Sequence, residues 1–489
     1  MAPNGCRGSS AAAAGKPTPS LWLALALGLL AGPSGELAAR AEFAALLDDP
    51  GLLEAQVGLL VVRLRDGHVL LAHHADELLV PASNVKLITA AAALQQLTPD
   101  FQFKTEIYGR PNGHGVVPGN LGIKGFGDPY LVPERIYHLA GRLVVAGVRR
   151  IAGNLVVDDS YFTGDRLAYG WESDRSSNAY MAPMGALSAS FNAVAVHVLP
   201  ASRPGHPARI MLDPPSDYLG VVGKVHTVKA GPSQLVVDLR TSNQPPYDRV
   251  AVRGKLPQHA SPRVFWRRIH SPPHYFGELL RRSLTQVGIR VDGKVLLGQV
   301  NPARQASPLL TFLSPRLAEL LGPLNKHSNN FMAGQIALVL GAQAFGAPGS
   351  WPKGKAAIAA YLHDQLGLRP DAYRLGNASG LHEVNRFSPR QLVGVIKNMH
   401  DQPRLWPEFV SSLAVAGGLG TLQDRMQSGQ AAGLVRAKTG TLAGASALSG
   451  VVVNRRGESL GFSMLVNGFL SVEGACRAQD RLGKALAEL

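Results

Sequence analysis

Strand-like runs stand at both ends of this chain, hundreds of positions apart, and a sheet that uses them all must be built from distant parts. Near the start, 57–65 (VGLLVVRLR) and 68–73 (HVLLAH) flank Asp66-Gly67, a strong hairpin turn signal. Near the end come three more runs, 434–440, 445–454 and 459–467, the last two joined across Asn454-Arg455-Arg456-Gly457. Helical patterns lie beside them. Residues 42–49 suggest a short helix, and 83–97 a longer one with Leu87, Ile88, Ala91, Leu94 and Leu97 on one face, stopped by Pro99. Residues 328–345 form a strongly apolar helix, and 471–488 close the chain with another. The pattern predicts one antiparallel five-stranded sheet with helices, in an α/β (α+β) class.

Between these ends the texture changes. From about 100 to 300, short β-like runs such as LVVDLR and VAVRG alternate with Gly/Pro-rich turns, interrupted by amphipathic helices at about 131–147 and 275–287. This stretch reads as inserted, mostly β modules, and helices return from about 310. At 489 residues, two or three domains are expected. The division drawn is one discontinuous domain from 42–100 and 305–489, with 101–304 inserted. No fixed-period repeat is present.

The first forty residues bear on the compartment. Arg7 and Lys16 precede the apolar stretch Leu21 to Ala31, and small residues at Ala39-Arg40-Ala41 follow. That is the pattern of a secretory leader, expected to be removed with residues 1–41, and its apolar run is too short to span a bilayer. Of the two cysteines, Cys6 lies in this leader, so cysteine usage does not bear on export. The chain carries 49 Lys/Arg against 34 Asp/Glu, a net +15. With no run of five basic residues and no nucleic-acid motif, the charge points to an anionic wall polymer or lipid surface. Peripheral membrane contact and oligomeric state are left open. No His/Cys/carboxylate cluster stands at ligand spacing, so neither metal nor cofactor is expected. His73-His74 reads as a solvated pair and His327 as local packing. Arg263, Arg267 and Arg268, with Trp266 and His270, read as a solvated face, the alternative being a surface toward anionic polymer.

Three short motifs carry chemistry. Ser83-Asn84-Val85-Lys86 opens a helix, and i and i+3 share a helix face, so the lysine amine reaches the serine hydroxyl. A serine is a weak nucleophile until a base takes its proton, and lysine serves only if burial or a nearby cation lowers its pKa. Ser328-Asn329-Asn330 heads the second apolar helix. Lys438-Thr439-Gly440-Thr441 ends a strand, where lysine offers charge for a carboxylate, threonine a hydroxyl, and glycine close approach to a peptide backbone at a free edge. Taken alone, each serine is as well explained as a helix N-cap. Together and in this order, the trio is the one found in β-lactamases and penicillin-binding proteins.

The chain resembles one branch of that group, the class C low-molecular-mass penicillin-binding proteins, which are D-alanyl-D-alanine carboxypeptidase/endopeptidases. The long insertion between the first two motifs carries the likeness, as do the GFGDPYL run at 125–131, VVDDSYF at 156–162, Asn325 to Ala333, and Gly417 to Leu422 with Arg425. The resemblance implies a penicillin-binding transpeptidase/β-lactamase-like domain with two small modules nested in it. It implies Ser83 as acylated nucleophile, Lys86 as its base, Ser328 as proton relay and Asn330 as a substrate-backbone holder that orients Lys86. Lys438, with Thr439 and Thr441, would hold the terminal carboxylate, beside Gly440. Peptidoglycan peptides and β-lactam antibiotics would be the ligands. Two departures stand out. Where the family has an arginine near the substrate side chain, this chain has Glu383 in the run Asn377 to Glu383, and the acidic partner there is best matched by Asp158. The segment around Asn192 matches only in part. A serine β-lactamase and an idle wall-binding scaffold are the other readings of the trio.

Overall fold

The computed structural model describes residue 47 and residues 49–489, apart from 173, 243 and 302–306. The expected leader and nearly all of the helix expected at 42–49 lie outside the described residues. The chain enters through β1 (Gln56–Arg63) and β2 (Val69–His73), a hairpin whose turn uses Gly67 at φ +76°. Along β1, Leu60 and Val62 join one hydrophobic cluster, while Val57, Leu59 and Val61 join another. Side chains alternate across a strand, so this sheet is covered on both faces.

A short 3-10 turn, Ala82–Asn84, leads into α1 (Val85–Leu97). The sequence predicts one apolar face, but in the structure nearly every residue of the helix is buried, including Ala90 to Ala93. Four consecutive alanines allow neighbours to close in on the sides that a larger polar residue would hold in water.

The insertion follows. Its elements are β3 (Gln102–Tyr108), β4 (Val116–Val117), β5 (Leu121–Gly125), α2 (Pro133–Val145), β6 (Arg150–Ile151), β7 (Leu155–Asp158), β8 (Ala193–Leu199) and β9 (Arg209–Asp213). Then come β10 (Leu219–Val228), β11 (Gln234–Thr241), β12 (Asp248–Pro257), β13 (Arg263–Arg268), α3 (Pro272–Gln286), β14 (Arg290–Val291), β15 (Val295–Leu297) and β16 (Leu310–Arg316). They form a five-stranded sheet in the order β15-β7-β5-β3-β16 and three-stranded sheets β10-β12-β11, β13-β8-β9 and β14-β6-β4. One hydrophobic cluster, running from Ile107 to Phe312, serves these sheets with α2 and α3.

The rest of the chain gives α4 (Leu317–Lys326), α5 (Asn330–Phe345), α6 (Trp351–Leu366), α7 (Pro389–His400), α8 (Trp406–Ser411), β17 (Ala414–Val415), β18 (Val435–Leu442), β19 (Ala445–Val453), β20 (Ser459–Asn467) and α9 (Val472–Glu488). Helices α4, α5, α6 and α7 surround α1. The main sheet runs β17-β18-β19-β20-β1-β2, with β1 antiparallel to β20 over eight residues. The distant ends of the chain therefore pair as expected, in the expected class. The sheet has six strands rather than five, because the two-residue β17 pairs Ala414 with Ala437 and Val415 with Arg436. A strand of two residues is too short to show a period of two.

Candidate active site

Each of the three motifs sits at the start of an element or inside a strand, and the packing brings them together. Ser83 is held in the 3-10 turn at the head of α1, after Ala82 at φ +44°. It is not a cap: the N-cap of α1 is Asn84, with no side-chain cap bond. Likewise the cap of α5 is Asn329, whose side chain accepts from Met332 N, while Ser328 stands just before it at φ +54°. The N-cap reading of both serines is thereby set aside.

Lys86, the second residue of α1, is fully buried. Its Nζ lies 3.0 Å from Ser83 Oγ, 2.7 Å from Asn330 Oδ1 and 2.6 Å from the Ser379 carbonyl oxygen. Asn330 Nδ2 donates to the Tyr180 carbonyl at 3.1 Å, which leaves Oδ1 turned to Lys86. Lys438, in the middle of β18 and also fully buried, donates from Nζ to Ser328 Oγ at 2.9 Å and to its neighbour's carbonyl, Thr439 O, at 2.7 Å. Burial, and then the charge of Lys438, hold the Lys86 amine well below the usual lysine range. Burial brings Lys438 down to about 7.

Two glycines make the convergence possible. A Cβ on Gly440 would lie 2.9 Å from Ala82 Cβ and 3.0 Å from Pro81 O. Its missing side chain therefore lets β18 close on the Ser83 turn, a tighter constraint than the peptide approach inferred from sequence. A Cβ on Gly380, at φ +77°, would meet Ala82 O at 1.8 Å. Gly380 belongs to a loop organised by Asn377 Oδ1, which accepts from Ser379 N, Ser379 Oγ and Gly380 N. That loop delivers the Ser379 carbonyl to Lys86.

At the rim, Thr439 Oγ1 donates to Thr421 Oγ1 at 2.7 Å, and Thr441 is exposed. β17 pairs only with Arg436 and Ala437, so among the described residues the edge of β18 is open from Lys438 onward. Asp158 is not part of this cluster. It is fully buried at the end of β7, where its carboxylate accepts from Ser160 N and Val300 N and lies 3.3 Å from Lys124 Nζ. In this structure the carboxylate is taken up by these three partners inside the inserted sheet. Glu383 is exposed and contributes its main-chain oxygen to Arg386. Asn192 is buried and donates to Pro183 O and Ser188 Oγ, bonds that shape the insertion.

The remaining sequence candidates lie elsewhere. His73 and His74 stack on each other, and His327 is exposed at the end of α4. Arg267 and Arg268 are half-buried and donate to backbone oxygens, Arg267 to Val237 O and Arg268 to Met181 O, so they are not an open basic face. Among the described residues no group of three His, Cys, Asp or Glu side chains is arranged to hold a metal, and no helix is long and apolar enough to cross a membrane. Sequence reasoning missed the Ser379 and Tyr180 carbonyls and the Thr421 hydroxyl. A main-chain carbonyl leaves no side-chain signature. Thr421 lay in a recognised run, but nothing local links it to Thr439.

Known proteins are similar to this chain along nearly its whole length. The family model described as the D-Ala-D-Ala carboxypeptidase 3 (S13) family covers residues 39–489. A D-alanyl-D-alanine carboxypeptidase of Actinomadura sp. is 34% identical over 466 residues, 92% of this chain and 84% of its own length. The D-alanyl-D-alanine carboxypeptidase DacB of Haemophilus influenzae is 28% identical over 85% of this chain and 86% of its own length. The crystal structure of penicillin-binding protein 4 from Haemophilus influenzae superposes with a TM-score of 0.78 at 25% identity, covering 91% of this chain and 99% of that one. The same protein has been solved with a bound β-lactam. With the motifs in one hydrogen-bonded cluster and a match of this extent, the chain belongs to the D-Ala-D-Ala carboxypeptidase 3 (S13) family of serine hydrolases.

Proposed function

We propose that this enzyme hydrolyses D-alanyl-D-alanine-type bonds of peptidoglycan stem peptides, as carboxypeptidase, endopeptidase or both, through an acyl-enzyme at Ser83. One observation carries the reading. Of the three oxygens around Lys86 Nζ, Asn330 Oδ1 and Ser379 O can only accept. A neutral amine gives its two protons to them, and its lone pair then points at the third, Ser83 Oγ, which must donate. Burial and the Lys438 charge favour that neutral form. The amine is thus poised as a general base.

The steps follow. Ser83 Oγ attacks the carbonyl carbon of the penultimate residue as its proton passes to Lys86 Nζ. The oxyanion is held by backbone N–H groups of Ser83 and Thr441. The C–N bond breaks, the leaving amine takes a proton relayed through the Ser328 hydroxyl, and water later hydrolyses the Ser83 ester. Lys438, with Thr439 and Thr441, anchors the terminal carboxylate. A β-lactam follows the same first step and leaves a slow ester. The substrate lies in the cell wall, so the reading includes export by the 1–41 leader to a periplasmic or wall compartment. It also takes 42–100 and 305–489 as the catalytic domain with 101–304 inserted, supported by the separate hydrophobic cluster of the insertion, which β16 joins from beyond that boundary through Phe312.

Incubation with a penicillin followed by intact-mass measurement tests this. The expected result is one drug mass added on the Ser83 peptide, together with release of D-alanine from a stem pentapeptide, both lost in Ser83→Ala. Labelling of a different residue, or hydrolysis by Ser83→Ala at the parent rate, overturns it.

A further inference from the structure

The charge of this chain is unevenly placed. Residues 193–270 hold eleven Lys/Arg and four Asp/Glu, a net +7 out of +15. The registers of β10, β11 and β12 show where it points. Across the sheet, Arg249 stands between Gly220 and Arg240, Arg253 between Lys224 and Val236, and Lys255 between His226 and Gln234. Every cation in these rows is exposed. The intervening residues Val225, Val237, Leu239, Val250, Val252 and Leu256 are buried. The sheet therefore has one core face and one cationic face.

Like charges directly opposite each other destabilise a sheet, yet Arg240 faces Arg249 and Lys224 faces Arg253. Little in the fold offsets this: Asp238, the one acid on the face, attracts Arg240 and Arg267 without a close ion pair, its carboxylate accepting from Ser177 Oγ at 2.6 Å. Among the described residues, the ion pairs at this end of the insertion are His270–Asp248, Arg281–Asp217 and Arg281–Glu278, and none involves a cation of the face.

We propose that the outer face of the β10–β12–β11 sheet docks a linear phosphodiester polymer of the cell envelope. The envelope location rests on the proposed function; the charge argument does not. Arg249, Arg253 and Lys255 lie in line along the central strand, where alternate residues recur about every 7 Å. Arg240 and Lys224 flank them on the two sides. A line of charge suits a chain better than a plane of lipid, and an arginine fork takes two phosphate oxygens at once. The face carries no Trp, Tyr, Phe or Leu. Its exposed apolar side chains are valines, Val222 and Val236, and its one ring is His226, so it lacks the large apolar anchors of a membrane-bound surface and the run of stacking rings of a single-strand nucleic-acid site.

The test uses the full chain and a synthetic poly(glycerol phosphate), with binding followed by calorimetry across a salt series. The polymer is expected to bind, more weakly as salt rises. The triple variant R240S/R249S/R253S is expected to bind at least ~30-fold more weakly at low salt, with its salt slope smaller by about two to three. The matching Arg→Lys triple should stay within about fivefold, because the charge remains. Release of D-alanine from a soluble pentapeptide should be the same in all three proteins, so loss of that activity in the parent would count against the proposed function and not against the docking face. The Ser triple should melt no lower than the parent. Unchanged polymer binding in the Ser triple overturns the proposal. So does a parent that prefers oligothymidylate or phosphatidylglycerol vesicles, or a Ser triple that melts several degrees lower.

Discussion

Two groups of cations divide this molecule. Lys86 and Lys438 are fully buried, each surrounded by oxygens at 2.6–3.0 Å, and both are pulled below the usual lysine range. The cations on the outer face of β10, β11 and β12 are exposed and, among the described residues, form no close ion pair; the nearest acid to act on them, Asp238, is hydrogen-bonded to Ser177. Sequence counts both groups alike toward +15. The comparison teaches that burial, not the presence of an amine, separates a lysine with a lowered pKa from one that simply adds surface charge. Desolvation pulls the pKa of both members of the first group down, whereas the second group stays in water.

The comparison can be broken most severely at Lys86. On the proposed mechanism Lys86→Met leaves Ser83 without a base, and penicillin acylation should fall by about 10³-fold or more, measured by rate of mass gain. An equal loss from an exposed cation such as Lys224→Met would erase the distinction. Gly380→Ala should act nearly as strongly, because its Cβ would sit 1.8 Å from Ala82 O at a positive φ. The expected cost is about 3 kcal/mol or more in urea unfolding, with acylation falling in parallel. Gly440→Ala, with its nearest contact at 2.9 Å, should cost less, about 1–3 kcal/mol.

The pH dependence sharpens the same point. Removing the Lys438 charge raises the pKa of Lys86, so Lys438→Gln should move the rising limb of the acylation profile to higher pH as well as lower it. Stability carries a second sign. Lys438 titrates at about 7 when folded and at 10.5 ordinarily. Between those values the unfolded chain holds a proton that the folded chain has released, so the penalty for burying this lysine is full below 7 and fades toward 10.5. Urea midpoints should therefore rise more steeply with pH in the parent than in Lys438→Met. A smaller effect is expected at Thr421→Val, which removes the acceptor for the Thr439 hydroxyl. KM for a peptide should rise about fivefold with kcat little changed, and Thr421→Ser should restore it. The smallest effect belongs to the exposed group: Arg253→Ser should leave soluble-peptide kinetics unchanged and shift stability by no more than about 0.5 kcal/mol, in the stabilising direction.

Much of this was legible in the residues. The Ser83–Lys86 spacing is a property of one helix face, and the hairpin at Asp66-Gly67 is a property of one turn, so both were readable where they stand. The six-stranded count was not, because β17 is two residues long and exists only by pairing with β18. The burial of Asp158 was not readable because its partners come from elsewhere in the insertion, Lys124 from β5 and Val300 from the segment after β15. Arg267 and Arg268 read as surface charge, yet their partners Val237 and Met181 lie tens of residues away.

Sequence by itself determined the chemistry on offer: a serine with a lysine one turn on, a second serine and asparagine heading an apolar helix, and a lysine beside a glycine in a strand. Local backbone periodicity sets such pairings, so they survive without knowledge of the fold. Only the tertiary structure decided which oxygens surround the Lys86 amine and which cations stay in water. Those facts depend on contacts between segments hundreds of residues apart, and it is the exclusion of water by those contacts that sets the charge on a lysine.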